Sequence, residues 1–158
     1  MINIIILKNI INKIIFISRL IYLKFVNNIE KIAVPDSEVR KFTLNAKSKE
    51  ILDIKYRTTN LFILQKIFKI IPIKYRQYKA NDYDCDDYAL DFFRILKNIF
   101  PNLPLGFLTL TYKGGSRHAI NFFIYSDGDK FRRAFLEPQT GKVMHRIVDL
   151  SSYDFMMI

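Results

Sequence analysis

The sequence predicts an α+β domain, with helices in its N-terminal half, a central helix opening at Cys85, and an antiparallel sheet over its C-terminal third. Three observations carry this. After Cys85, the apolar residues Tyr88, Ala89, Phe92, Phe93, Leu96, Ile99 and Phe100 recur at the spacing of one buried helical face, and Pro101 ends the run. Two apolar strand-like runs, 105–112 and 118–125, flank a Gly114-Gly115 loop. Asp127-Gly128 then stands between apolar runs, the strongest short-range hairpin signal.

A chain of 158 residues suits one domain, because about 150 residues bury roughly 70% of the unfolded surface. Half the residues are hydrophobic and 15% are aromatic, which excludes a disordered protein. The absence of Trp and the heavy use of Ile, Asn and Lys suggest an A/T-rich genome, so part of the composition reflects codons. A single Cys allows no internal disulfide and fits a reducing, cytoplasmic setting. The net charge of +10 serves nucleic acid, an anionic membrane or solubility alike. Specific nucleic-acid binding is disfavoured, since no binding motif is present and the lysines are scattered through apolar runs.

In chain order, residues 1–28 are apolar but interrupted by Lys8, Lys13, Arg19 and Lys24. A spanning helix needs about 20 predominantly apolar residues, and each central cation costs about 2.5–3.5 kcal/mol in a bilayer, so no transmembrane span is expected. The broken apolar core, with no small-residue cleavage pattern after it, argues equally against a signal peptide. The segment reads as a helix docked on the core or a loose extension, with peripheral membrane contact through 1–28 as the alternative. Pro35-Asp36-Ser37-Glu38 marks the best boundary, dividing a basic apolar extension, 1–34, from the main domain, 35–158. The apolar spacing over 48–71 predicts two helical pieces broken near Thr58-Thr59-Asn60 and closed by Pro72. Residues 143–150 read as a further strand or short helix before an apolar tail.

The central stretch holds the chemistry. Asp84 can cap the helix and Asp87 sits where a capping-box acid belongs. A thiol on the first helical residue feels free N–H groups that favour the thiolate, while the flanking acids oppose it. A nucleophile here needs an imidazolium beside it. His118 starts a strand just after the glycine loop, and with Asp127 and Gly128 central in the turn, Ser126 faces Asp129 and His118 faces Glu137. Asn121 alternates to the other face, Gln139 is the fallback orienting residue, and His145 has no such setting. Taken singly, each residue has a plain reading: an inert core Cys, a hydrogen-bonded strand-end His, a solvated acid.

Three blocks, Asp84-Cys85-Asp86-Asp87-Tyr88-Ala89, Gly115-Ser116-Arg117-His118-Ala119-Ile120-Asn121 and Glu137-Pro138-Gln139-Thr140-Gly141, resemble the Cys, His and Glu blocks of transglutaminase-like and papain-like cysteine peptidases. The likeness is greatest to the peptidase domain of a fungal agglutinin and its small phage and bacterial relatives, over residues 50 to 145. The resemblance implies an α+β papain-like/transglutaminase-like fold and a thiol hydrolase with Cys85 as nucleophile, His118 as base and Glu137 as orienting acid. It would cleave a peptide or isopeptide amide of a peptide or protein substrate through a thioester. The Cys85 N–H would serve the oxyanion, with Tyr78 or Asn81 as second donor. Members of the agglutinin type depend on calcium, which makes Asp82, Asp86 and Asp87 metal candidates by resemblance alone. The alternatives are a non-enzymatic interaction module or membrane-surface effector retaining the fold, or a peptidoglycan peptide amidase, against which Asp87 counts because such enzymes carry Gly there. No EF-hand loop and no zinc-ligand spacing is present.

Overall fold

The computed structural model describes residues 11–12, 14–19, 21–22, 31–43, 46–51, 55–71, 79 and 84–158. After helical residues within 11–22 come strand β1 (Ile32–Val34), helix α1 (Asp36–Thr43), β2 (Ala46–Glu50), β3 (Tyr56–Thr58), α2 (Leu61–Ile70) and α3 (Cys85–Ile99). Strands β4 (Leu105–Tyr112), β5 (Arg117–Asp127), β6 (Lys130–Glu137), β7 (Lys142–Met144) and β8 (Leu150–Met157) complete the chain.

Six strands form one sheet in the order β2-β8-β4-β5-β6-β7, while β1 and β3 form an antiparallel ribbon. Alternation along the strands separates two cores. Ala119, Phe123 and Tyr125 of β5 pack with Leu64, Phe68, Ala89 and Phe92 of α2 and α3. Ile120, Phe122 and Ile124 face the opposite way, toward Val34, Val39 and Tyr56. The central strands are therefore buried on both faces, which is why β5 is a nearly unbroken apolar run. Gly106 of β4 lies under Phe122, where a Cβ would come within 2.1 Å of the ring.

The expected α+β arrangement of helices on an antiparallel sheet is corrected. Eight strands stand against three bounded helices among the described elements. The sheet is mixed, because β2 pairs with β8 in parallel. Of the first piece expected to be helical, residues 48–50 belong to strand β2 and 56–57 to strand β3, and 52–54 lie outside the described residues; Lys47 and Lys49 of β2 are exposed, as suits a charged sheet edge. The expected apolar tail is β8, which pairs with both β2 and β4.

The hairpin turn also sits one residue later than expected. Asp127 pairs with Lys130, so Gly128 and Asp129 are central, and Gly128 takes φ 61°. Arg132 pairs with Asp127, and Ser126 Oγ donates to the Gly128 carbonyl, holding the turn in this frame. Each residue of β5 thus faces a partner two positions further along β6 than expected. Continued past Asn121↔Leu136, this register sets Ile120 opposite Glu137, not His118. A shift of two preserves the face, so His118 and Glu137 remain diagonal neighbours on one side.

Candidate functional site

Helix α3 begins with a reciprocal cap. Asp84 Oδ1 accepts from the Asp86 N–H at 3.3 Å, and Asp87 Oδ2 accepts from the Asp84 N–H at 3.2 Å. Its apolar face is fixed to the sheet by Asn121, whose Nδ2 donates to the carbonyls of Ala89 at 2.9 Å and Gly106 at 3.2 Å. Cys85 is half-buried at the start of this helix. Burial pushes its thiol pKa up, and Asp84 and Asp86 add to the rise, against hydrogen bonding from the main chain of Ala119 and of Cys85 itself.

His118 and Glu137 meet on the neighbouring strands. His118 Nε2 lies 2.6 Å from Glu137 Oε2, with side-chain exposures of 21% and 16%. The second oxygen, Oε1, accepts from the Gln139 N–H at 3.1 Å, so Gln139 orients the carboxylate through its main chain. Tyr112 stacks on the imidazole with centroids 6.3 Å apart. Its hydroxyl pKa is raised by burial, then by the charges of Glu137 and Cys85, so it stands within electrostatic reach of both. Sequence reasoning missed Tyr112. The signal lay in the β4–β5 pairing: Leu110 opposes His118, and Tyr112 is two residues beyond on the same face.

The arrangement joins imidazole to carboxylate, and the thiol lies at the main chain of Ala119, the residue next to His118. The Glu137 bond is made by His118 Nε2, so Nδ1 is the ring nitrogen that this carboxylate does not engage.

For a metal, the described donors that converge are Asp84, Cys85 and Asp86, within 4.8 Å of one another. Hydrogen bonding to Asp84, then burial and the neighbouring charges, raises the Asp86 pKa. Asp87 is engaged in the cap. Asp82, Tyr78 and Asn81 lie outside the described residues. Calcium takes six to eight oxygens, so two carboxylates beside a soft thiol supply only part of its shell.

No family model and no curated protein matches the chain. Solved structures do. One, titled "PSL1a-E64 complex", superposes with a TM-score of 0.68 at 19% identity, over 82% of this chain and 52% of that one. Another is the lectin of Polyporus squamosus bound to the human-type influenza-binding epitope Neu5Acα2-6Galβ1-4GlcNAc, with a TM-score of 0.67 at 17% identity, over 82% of this chain and 50% of that one. The chain thus spans about half the length of the structures it resembles. No family model supports the expected papain-like/transglutaminase-like assignment, and one neighbour is a complex with E64 while the other is a lectin. At 17–19% identity these neighbours bear on the fold and not on the roles expected of Cys85, His118 and Glu137. At this level of identity, what the chain shares with these proteins is the fold.

Proposed function

We propose that the chain is a non-enzymatic, carbohydrate-binding interaction module in which Tyr112, His118 and Glu137 recognise the ligand. The observation that carries this reading is the 2.6 Å His118–Glu137 bond beside the stacked Tyr112 ring. A half-buried imidazole and carboxylate offer a donor and an acceptor to sugar hydroxyls, and an aromatic ring offers an apolar face to a sugar's C–H side. Gln139 holds the carboxylate through its main chain. The fold shared with a lectin supports the ligand class.

The test is calorimetric titration of a glycan panel that includes Neu5Acα2-6Galβ1-4GlcNAc. Glu137→Gln and Tyr112→Ala should each weaken binding at least about tenfold, equivalent to about 1.4 kcal/mol, while Cys85→Ala stays within about twofold. A panel with no binder, or glycan affinity indifferent to Glu137 and Tyr112, overturns the reading.

A second surface is favoured by a specific observation. Ile11, Ile14, Ile15, Ile17, Ile21 and Tyr22 are large, apolar and exposed on the N-terminal helical residues. Residues 1–29 contain no acid and four cations. This combination suits peripheral contact of the extension 1–34 with an anionic membrane, leaving 35–158 as the binding domain. No described helix is long and apolar enough to cross a membrane. A cytoplasmic location, facing the inner leaflet, accompanies this reading. Sedimentation with anionic vesicles, lost on deletion of residues 1–30, is the expected result; equal sedimentation of the intact and deleted chains removes it.

A further inference from the structure

On the other core's side of the sheet, Arg133 of β6 is a half-buried cation with no carboxylate partner among the described residues. Its Nη1 donates to the Phe42 carbonyl at 2.6 Å, and its guanidinium lies 4.9 Å from the Phe135 ring centroid, 5.4 Å from that of Tyr153 and 6.0 Å from that of Phe42. Burial lowers its pKa, with Tyr153 opposing. The rings and one carbonyl satisfy only part of a guanidinium's five donors.

Arg133 lines a cleft of about 530 Å³ between the end of α1 and strands β5 and β6, together with Lys41, Tyr125, Phe131, Arg132 and His145. The acid in its wall, Asp127, is paired with Arg132. Lys41 reaches Glu38 only at 3.4 Å and is exposed. Tyr125 and His145 place their rings 6.4 Å apart at one side of the opening. The cleft therefore combines a cation excess with aromatic walls, and its size matches a small organic molecule.

We propose that this cleft is a second binding site, for a small organic anion that carries a carboxylate or phosphate on a ring. The anionic group pairs with the free N–H groups of Arg133 and with Lys41, and the ring lies against Phe42 and Phe131 on the same face of the sheet. The site is separate from Tyr112, His118 and Glu137 and does not depend on their role.

The experiment uses the full chain at fixed ionic strength, with phenyl phosphate and inorganic phosphate as probes followed by calorimetry and thermal melting. Phenyl phosphate should bind and raise the melting temperature, inorganic phosphate should bind at least about tenfold more weakly, and Arg133→Met, which keeps the apolar stem, should lose at least about tenfold in phenyl phosphate affinity. Because Arg133→Met could fail to fold, the wild-type chain is also treated with an arginine-selective dicarbonyl reagent. Phenyl phosphate should protect Arg133 from modification in peptide mass maps. Absence of binding, equal affinity in Arg133→Met, or modification of Arg133 unaffected by phenyl phosphate overturns the proposal.

Discussion

Asn121 ties the site-bearing strand to the helix that carries Cys85, and the cost of replacing it can be worked from its contacts. Its amide donates two buried hydrogen bonds, to Ala89 at 2.9 Å and Gly106 at 3.2 Å, while its Oδ1 is buried with no partner among the described residues. Removing the two bonds costs about 0.5–1.5 kcal/mol each. Removing the unpaired oxygen returns part of that, because a buried unsatisfied acceptor costs about 1–3 kcal/mol. Asn121→Leu keeps the branched heavy-atom skeleton but is bulkier than Asn in a fully buried site, so an overpacking cost of about 1–3 kcal/mol is added to the two opposed polar contributions. Asn121→Ala adds a cavity beneath α3 and should cost about 2 kcal/mol, a fall in Tm of about 4–8 °C for a chain of this length. Asn121→Asp turns a carboxylate toward two carbonyls in a dry core and should cost more than about 4 kcal/mol. Urea and thermal melts followed by circular dichroism give all three. An alanine variant as stable as the wild type would refute the reasoning, since the two amide hydrogen bonds would then contribute nothing and no cavity would be left.

Three further outcomes follow from the same contacts. Hydrogen bonds from Thr111, then Lys47 and Ser152, hold the Asp154 carboxyl well below the usual carboxylate range, and its side chain is 17% exposed. Its stabilisation is therefore full above the unfolded value near 3.9 and is lost as pH falls through the lower folded value, so Asp154→Asn should cost about 1 kcal/mol at pH 7 and flatten the acid limb of a stability profile; an unchanged acid limb contradicts this. Gly106→Ala would put its Cβ 2.1 Å from the Phe122 ring and 2.4 Å from the Met157 carbonyl oxygen, so it should lose about 3 kcal/mol or fail to fold, and a wild-type Tm would show that the β4–β8 pairing is misplaced. Millimolar calcium should raise Tm through Asp84 and Asp86, which it would bring to a common charge partner; calorimetry without heat, together with an unmoved Tm, removes the cation.

The parts of the fold legible in the sequence are those that local chemistry decides. Helix α3 shows in its apolar spacing, its capping acids and Pro101, and each has its structural counterpart. The face shared by His118 and Glu137 was legible because a misplaced turn moves the register by an even number, although their direct opposition was not. Strand β2 was hidden, since Ala46-Lys47-Ser48-Lys49-Glu50 has no apolar alternation and owes its strand form to parallel pairing with β8, more than a hundred residues away. Tyr112 was hidden for a similar reason, its place beside His118 being set by pairing and not by spacing. The Asp84-Cys85-Asp86-Asp87 block serves as the expected helix cap, and a helix cap and a nucleophile motif draw on the same residues. The structure engages Asp84 and Asp87 in capping, and the acids and burial push the Cys85 thiol toward its neutral form.

The central claim, that this is a binding module whose thiol does no chemistry, is tested most directly by incubating the intact chain and Cys85→Ala with a diverse peptide library, with and without calcium, and reading cleavage by mass spectrometry. The account predicts identical, uncleaved peptide profiles for the two chains, and no mass increase on Cys85 when the electrophile E64 is added in modest excess. Cleavage by the intact chain that disappears in Cys85→Ala, with E64 attached to Cys85, would contradict it.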